Sequence, residues 1–88
     1  MKVEFKESFA RDLRNVKGAK LLGRVRELIE AIEQAGSLDE ITHLKKLRGG
    51  KDFYRVRVGD YRLGLLLKGS AVTFVRFLHR KEIYRYFP

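Results

Sequence analysis

The sequence predicts an α+β fold of order β-α-α-β-β-β(-α), with two N-terminal helices packed on one face of a twisted antiparallel sheet. Three observations lead there. Apolar residues recur at helical spacing between Phe9 and Ile32. From Phe53 onward the period falls to two, with apolar and cationic residues alternating. Glycine-bearing turn signals at Gly59-Asp60 and Lys68-Gly69-Ser70 cut that second half into hairpin-sized pieces.

In chain order, Met1 to Lys6 reads as a strand with Val3 and Phe5 on one side. Ser8 is placed to cap a short helix carrying Phe9, Leu13 and Val16, which Lys17-Gly18 ends. A longer helix covers Ala19 to Gln34, with Leu21, Leu22, Val25, Leu28, Ile29 and Ile32 on its apolar side and Gly36 at the C′ position. Its outer face mixes charges and carries no visible chemistry. Residues 37–50 are a connection, tacked down by Leu38, Ile41, Leu44 and Leu47.

The next strands are Phe53–Val58 and Tyr61–Leu67. With Gly59-Asp60 as a two-residue loop, Val58 pairs with Tyr61, Arg57 with Arg62, Val56 with Leu63, and Arg55 with Gly64. Tyr54, Val56, Val58, Tyr61, Leu63 and Leu65 then share one face, and Arg55, Arg57 and Arg62 the other. Two arginines directly opposite each other are destabilising, so a sheet that keeps them has an anion to put there. The last strand covers Val72–Leu78. A three-residue loop, Lys68–Ser70, sets Leu66 opposite Val72, Gly64 opposite Phe74 and Arg62 opposite Arg76, places Thr73, Val75 and Phe77 on the core side, and adds Arg76 and Arg80 to the arginine face. A two-residue loop would instead point Arg76 at the helices as an unpaired buried charge. From Lys81 the chain forms a short helix or an extended tail.

Eighty-eight residues make a single domain, 1–88, with a modest core. A hydrophobic fraction of 44% and a single proline favour a folded globule over a disordered chain. With no cysteine, there is no disulfide, thiolate metal site or thiol nucleophile. No apolar run approaches the roughly 18 residues of a membrane span, and the charged, alternating N-terminus is no signal peptide. The expected location is the cytoplasm.

The formal charge of +9 is segregated. Residues 1–44 hold eight Lys/Arg and eight Asp/Glu, whereas residues 45–88 hold twelve and three. Such concentration in the half that contains the hairpin, with arginine favoured in the strands, points to phosphate and so to nucleic acid. An acidic protein or an anionic membrane is the alternative. Lys45, Lys46, Arg48 and Lys51 read as backbone contacts.

Only Asp52, Asp60 and Glu82 supply carboxylates to the basic half, and His43 and His79 lie far apart, so neither metal nor cofactor is expected. What remains is metal-free cleavage of RNA, in which a 2′-hydroxyl attacks its neighbouring phosphate. That reaction needs a proton acceptor, a donor for the leaving oxygen and cations around the developing charge. Arginines supply the cations. The proton roles fall to Tyr84, Arg80, His79 or Tyr86, and a tyrosine with an ordinary pKa of about 10 becomes a base only where guanidiniums lower it. On chemistry alone, binding without catalysis is the safer reading.

Two segments carry a resemblance. Leu47-Arg-Gly-Gly50 leading into Phe53-Tyr-Arg-Val-Arg-Val-Gly-Asp-Tyr-Arg-Leu-Gly64, and Val75-Arg-Phe-Leu-His-Arg-Lys-Glu-Ile-Tyr84, resemble the RelE/ParE superfamily of type II toxin–antitoxin toxins, and the element order is similar across nearly the whole chain. The resemblance implies a toxin that cuts messenger RNA in the ribosomal A site and is held inactive by a cognate antitoxin, with operator DNA a further partner of the toxin–antitoxin complex. By the same resemblance, Arg55 and Arg57 match basic strand residues, Arg62 a phosphate-contacting arginine, Arg80 an arginine that stabilises charge or assists the leaving group, and Tyr84 a tyrosine that stacks on or activates the nucleotide. His79 falls at a variable position. Because arginine is a poor proton acceptor, Arg55 and Arg57 look better suited to holding phosphate, which leaves Tyr84 or His79 as base. The superfamily also includes ParE-like poisons of DNA gyrase and toxins that only bind their antitoxin.

Overall fold

The chain folds as β1 (Lys2–Phe5), α1 (Glu7–Arg14), α2 (Ala19–Gln34), a 3₁₀ turn (Leu38–Glu40), β2 (Leu44–Lys46), β3 (Phe53–Val58), β4 (Tyr61–Lys68), β5 (Ala71–His79) and α3 (Ile83–Tyr86). These come from a computed structural model that describes residues 1–49 and 52–88. One sheet holds the five strands in the order β1-β5-β4-β3-β2. α1 and α2 cover one face, over a core built from Phe9, Val25, Ile32, Val56, Val58, Leu63, Leu65, Val72, Phe74 and Phe77.

The sheet is mixed, which corrects the antiparallel expectation. β1 runs parallel to β5, with Lys2 opposite Ala71 and Phe5 opposite Phe74. Alternation marks a strand but carries no direction. β2 was not expected inside the connection. It pairs Leu44 with Val56 and Lys45 with Arg55. Two caps also differ. Lys6, not Ser8, stands at the N-cap of α1, and the Ser8 hydroxyl instead donates to the Val75 carbonyl at 2.6 Å. Ala35 ends α2 in an extended conformation, while the Gly36 amide donates to Glu40 Oε2 at 2.8 Å.

The first hairpin has the expected register at every pair, with Arg57 opposite Arg62. Gly59 takes a φ of +59°, the left-handed conformation its tight turn requires. The second hairpin departs from expectation. Lys68 pairs with Ala71, so the loop is Gly69-Ser70. Leu65 then faces Phe74 while Gly64 faces Arg76, leaving Val75 as an extra residue in a β-bulge. The bulge changes which side of β5 faces the helices. Val72 and Phe74 are buried before it and Phe77 after it, whereas an unbroken register would expose one set or the other. Thr73 and Val75, expected on the core side, are half-buried. Arg62 consequently opposes Leu78 rather than Arg76.

The charge that a two-residue loop seemed to strand is not stranded. Arg76 Nε donates to Asp12 Oδ2 at 2.7 Å and Nη2 to Oδ1 at 3.1 Å, and the Phe77 amide donates to the same carboxylate at 2.9 Å. Asp12 thereby ties α1 to the stretch of β5 beyond the reach of β1. Its hydrogen bonds raise the Arg76 pKa above the ordinary guanidinium value, against the opposing effect of partial burial.

The other face of the sheet is partly covered. Ile83 and Phe87 are buried there, and the Phe87 ring meets Phe53 edge-on at 5.4 Å between centroids. Phe87 lies over Gly64, where an added Cβ would stand 2.8 Å from the ring. Gly64→Ala should therefore push Phe87 out of its seat and destabilise the fold by about 1–3 kcal/mol. Thermal melts beside wild type check this, and an unchanged melt would show that the ring yields freely.

Candidate functional site

Pairing fixes which side chains share a face. Val56, Val58 and Leu63 point into the helix-covered core, so Arg55, Arg57 and Arg62 point away from it. Lys45, opposite Arg55, joins them. The face has two parts. Phe87 and Ile83 seal its apolar half, around Phe53 and Gly64, and the arginines occupy the rest.

The Gly59-Asp60 turn gathers two of these cations. Arg62 Nη1 donates to the carbonyls of Gly59 and Tyr61, both at 2.9 Å. The Arg80 amide donates to the Asp60 carbonyl at 2.7 Å, and Arg80 Nε lies 4.0 Å from Asp60 Oδ1. Both side chains of that ion pair are more than half exposed, so it guides Arg80 without neutralising it. Arg57, exposed, places Nη2 at 3.0 Å from His43 Nδ1. Arg55, half-buried, gives Nη1 to the His43 carbonyl at 3.0 Å, while its buried Nε has no hydrogen-bond partner among the described residues. Arg57 and Arg62 thus face each other across the hairpin and Arg80 is joined to the same turn, and among the described residues Asp60 is the carboxylate that pairs with any of the three.

The remaining expected site residues divide. Tyr84 stands on α3, 57% exposed, beside the buried anchors Ile83 and Phe87. Arg48 is exposed in the bend after β2. Lys46 pairs with Tyr54 in register, on the side away from Lys45, and forms an exposed ion pair with Asp52 at 3.4 Å. Lys51 lies outside the described residues. Arg76 does not join the group, because Asp12 holds its guanidinium, which also lies 5.4 Å from the Tyr86 ring centroid. His79 does not join it either. It pairs with Tyr61, on the helix side of the sheet, meets that ring edge-on at 5.6 Å, and accepts the Lys81 amide at Nδ1. Arg76 opposes Gly64 and so keeps the parity of the arginine face, and it is its ion pair with Asp12 that withdraws the guanidinium, whereas the pairing with Tyr61 turns His79 to the helix side.

Two contributors were missed. Asp60 read only as a turn residue. His43, in the left-handed region at φ +65°, organises both Arg55 and Arg57, and no sequence pattern signals that conformation. Among the described residues no group of three or more His, Asp or Glu side chains is placed to hold a metal ion, and no helix is long and apolar enough to cross a membrane.

Comparison with known proteins agrees with this architecture. The model of the ParE toxin of type II toxin–antitoxin systems, parDE, matches residues 3–84. Toxin RelE3 of Methanocaldococcus jannaschii is 42% identical over 89 residues, spanning 100% of each chain. A chain of the RelB–RelE antitoxin–toxin complex from Methanococcus jannaschii superposes with a TM-score of 0.83 at 39% identity, over 97% of this chain and 99% of that one. The archaeal RelE–RelB complex from Pyrococcus horikoshii shares the fold, with a TM-score of 0.73 at 23% identity, covering 93% of this chain and 97% of that one. With the model spanning nearly the whole sequence and a full-length relative at this identity, the chain belongs to the RelE/ParE family of toxins from type II toxin–antitoxin systems.

Proposed function

We propose that this toxin is a cytoplasmic endoribonuclease that cuts messenger RNA in the ribosomal A site without a metal, and so arrests translation. The observation that carries the reading is the Arg57–Arg62 pair across the hairpin, with Arg80 drawn in by the same turn. Opposed guanidiniums repel until an anion lies between them. A phosphodiester supplies that anion, and the phosphorane formed during cleavage carries more negative charge than the ground state, so the same group favours the transition state.

In this reading the 2′-hydroxyl oxygen attacks the adjacent phosphorus, the bond from phosphorus to the 5′-oxygen breaks, and the products are a 2′,3′-cyclic phosphate and a 5′-hydroxyl. Arg57 and Arg62 hold the non-bridging oxygens. Arg80 offsets charge on the departing oxygen, which takes its proton from solvent. Arginine keeps its own proton, His79 faces the helices and the Tyr86 ring lies against Arg76, so Tyr84, as its phenolate, is the residue left to accept the 2′-proton. Arg55, committed to the His43 carbonyl, supports the site and adds charge. Lys45 and Arg48 extend the cationic surface to flanking phosphates, and the sequence gives Lys51 the same role.

The partner proposed is a RelB-type antitoxin, supported by the solved RelB–RelE complex of a relative 39% identical to this chain. A second reading, poisoning of DNA gyrase, has one specific support: the matching family model is that of the ParE toxin. Inducible expression followed by primer-extension mapping of transcripts, beside a gyrase supercoiling assay on the purified protein, separates the two. Cut transcripts with normal supercoiling are expected; intact transcripts with inhibited gyrase would transfer the assignment to ParE. Binding to single-stranded RNA should also weaken with salt at a log–log slope of about −2 for three phosphates engaged. Fluorescence anisotropy between low and physiological salt measures it, and a flat response would remove phosphate as the ligand.

A further inference from the structure

A notch of about 320 Å³ opens beside the end of β3 on the side toward α2, lined by Arg24, Glu27, Thr42, His43, Arg57 and Val58 among others. Three separate elements bring its cations and its imidazole together. Arg24 comes from α2, and its Nη1 would stand 3.2 Å from a methyl built on Gly59, so it lies against the turn whose carbonyl holds Arg62. Arg57 comes from β3 and His43 from the loop before β2. Among the described residues, neither Arg24 nor Arg57 forms an ion pair with a carboxylate.

His43 is arranged as a donor. A guanidinium has only N–H groups to offer, so the 3.0 Å contact from Arg57 Nη2 makes His43 Nδ1 an acceptor and places the ring proton on Nε2. Its left-handed backbone, at φ +65°, is unfavourable for a side-chain-bearing residue and is held by hydrogen bonds from Arg55 Nη1 and the Arg57 amide to the His43 carbonyl. Strain retained in this way places the imidazole at the notch.

We propose that Arg24, His43 and Arg57 form a second phosphate-binding site, which takes a backbone phosphate next to the scissile one. This rests on the endonuclease reading above. Arg57 belongs to both the notch and the arginine face, so a strand lying on Arg62 leads directly to Arg24. Two forked guanidiniums and a neutral N–H donor match the several oxygens of a phosphodiester, whereas a side-chain carboxylate would occupy fewer of these donors. Glu40, which also borders the notch, is turned away to the Gly36 and Ser37 amides. Glu27, three residues along α2 from Arg24, opposes any anion there, so removing its charge strengthens the site.

The test uses the full-length toxin, a 2′-O-methyl RNA oligonucleotide that binds without being cut, and inorganic phosphate as a minimal probe. Arg24→Gln should weaken RNA binding about fivefold at low salt and make the log–log salt slope shallower by about 0.7. Arg26→Gln, on the same helix outside the notch, should change neither. Glu27→Gln should tighten binding. In ¹⁵N NMR, phosphate should shift the His43 ring and Arg57 side-chain resonances saturably in wild type but not in Arg24→Gln. Unchanged affinity and slope in Arg24→Gln, with cleavage of ordinary RNA intact, would overturn the notch while sparing the endonuclease. Absence of RNA binding in wild type together with no cleavage of ribosome-bound messenger would remove the endonuclease reading and this RNA assignment with it. Shifts caused by a polyglutamate peptide but not by phosphate would make the notch a protein-docking site and overturn the proposal.

Discussion

Arg62→Ala should lower RNA cleavage about 10²–10³-fold and abolish growth arrest on induction, with the fold and antitoxin binding retained. Arg62 opposes Arg57 at the centre of the cationic group, and its Nη1 is fixed by two carbonyls, which leaves the rest of the guanidinium for the phosphate. The side chain lies outside the helix-covered core, so the alanine variant opens no core cavity. Arg62→Lys should restore part of the activity, because it keeps the charge and loses the fork. Circular dichroism, antitoxin pull-down and a single-turnover cleavage assay separate these effects. A fully toxic Arg62→Ala variant would count heavily against RNA cleavage as the activity.

Asp12→Ala should be strongly destabilising for a polar substitution, costing about 2–4 kcal/mol. Asp12 has a side chain only 4% exposed and accepts from Arg76 twice and from the Phe77 amide once. Its loss leaves a half-buried guanidinium and a buried amide without partners beside the bulge. The cost sits below that of a fully buried pair because Arg76 retains 18% exposure. Asp12→Asn, which keeps an acceptor and removes the charge, should cost less. Urea denaturation of both variants measures the difference. If alanine cost no more than asparagine, the carboxylate would not be what secures the bulge.

The two hairpins show what was legible in the sequence and why. The first was readable pair by pair, because Gly59-Asp60 permits one tight turn and a slip of one residue would send Val56, Val58 and Leu63 into solvent. The second was not. Val72, Phe74 and Phe77 are all buried, yet they fall on different phases of a period-two pattern, and a bulge is needed to bury all three. Without the bulge, the alternation beyond Lys68 puts Thr73 and Val75 in the core in place of Val72 and Phe74, while Arg76, opposite Gly64, keeps the open-face parity the sequence predicts. The partner that satisfies Arg76, Asp12, lies 64 residues earlier, and no local pattern links the two.

Other features escaped for related reasons. β2 is three residues long with one apolar side chain, too short to show alternation. The parallel course of β1 is set by the path of α1 and α2, which no local pattern records. Arg55, Arg57 and Arg62 were correctly placed on one face because strand parity alone decides it, whereas the hydrogen bonds from His43 and the Gly59-Asp60 turn belong to tertiary structure.

In the proposed reaction, guanidiniums on the face of the sheet away from α1 and α2 hold an RNA phosphate while its own 2′-hydroxyl attacks it. The most direct measurement programs ribosomes with a messenger carrying either ribose or 2′-deoxyribose at the cleaved nucleotide, adds purified toxin, and analyses the 3′ ends by mass spectrometry. Cleavage of the ribose messenger to a 2′,3′-cyclic phosphate end, with the deoxy messenger left whole, is the predicted result. Equal cleavage of both, or of neither, would contradict it.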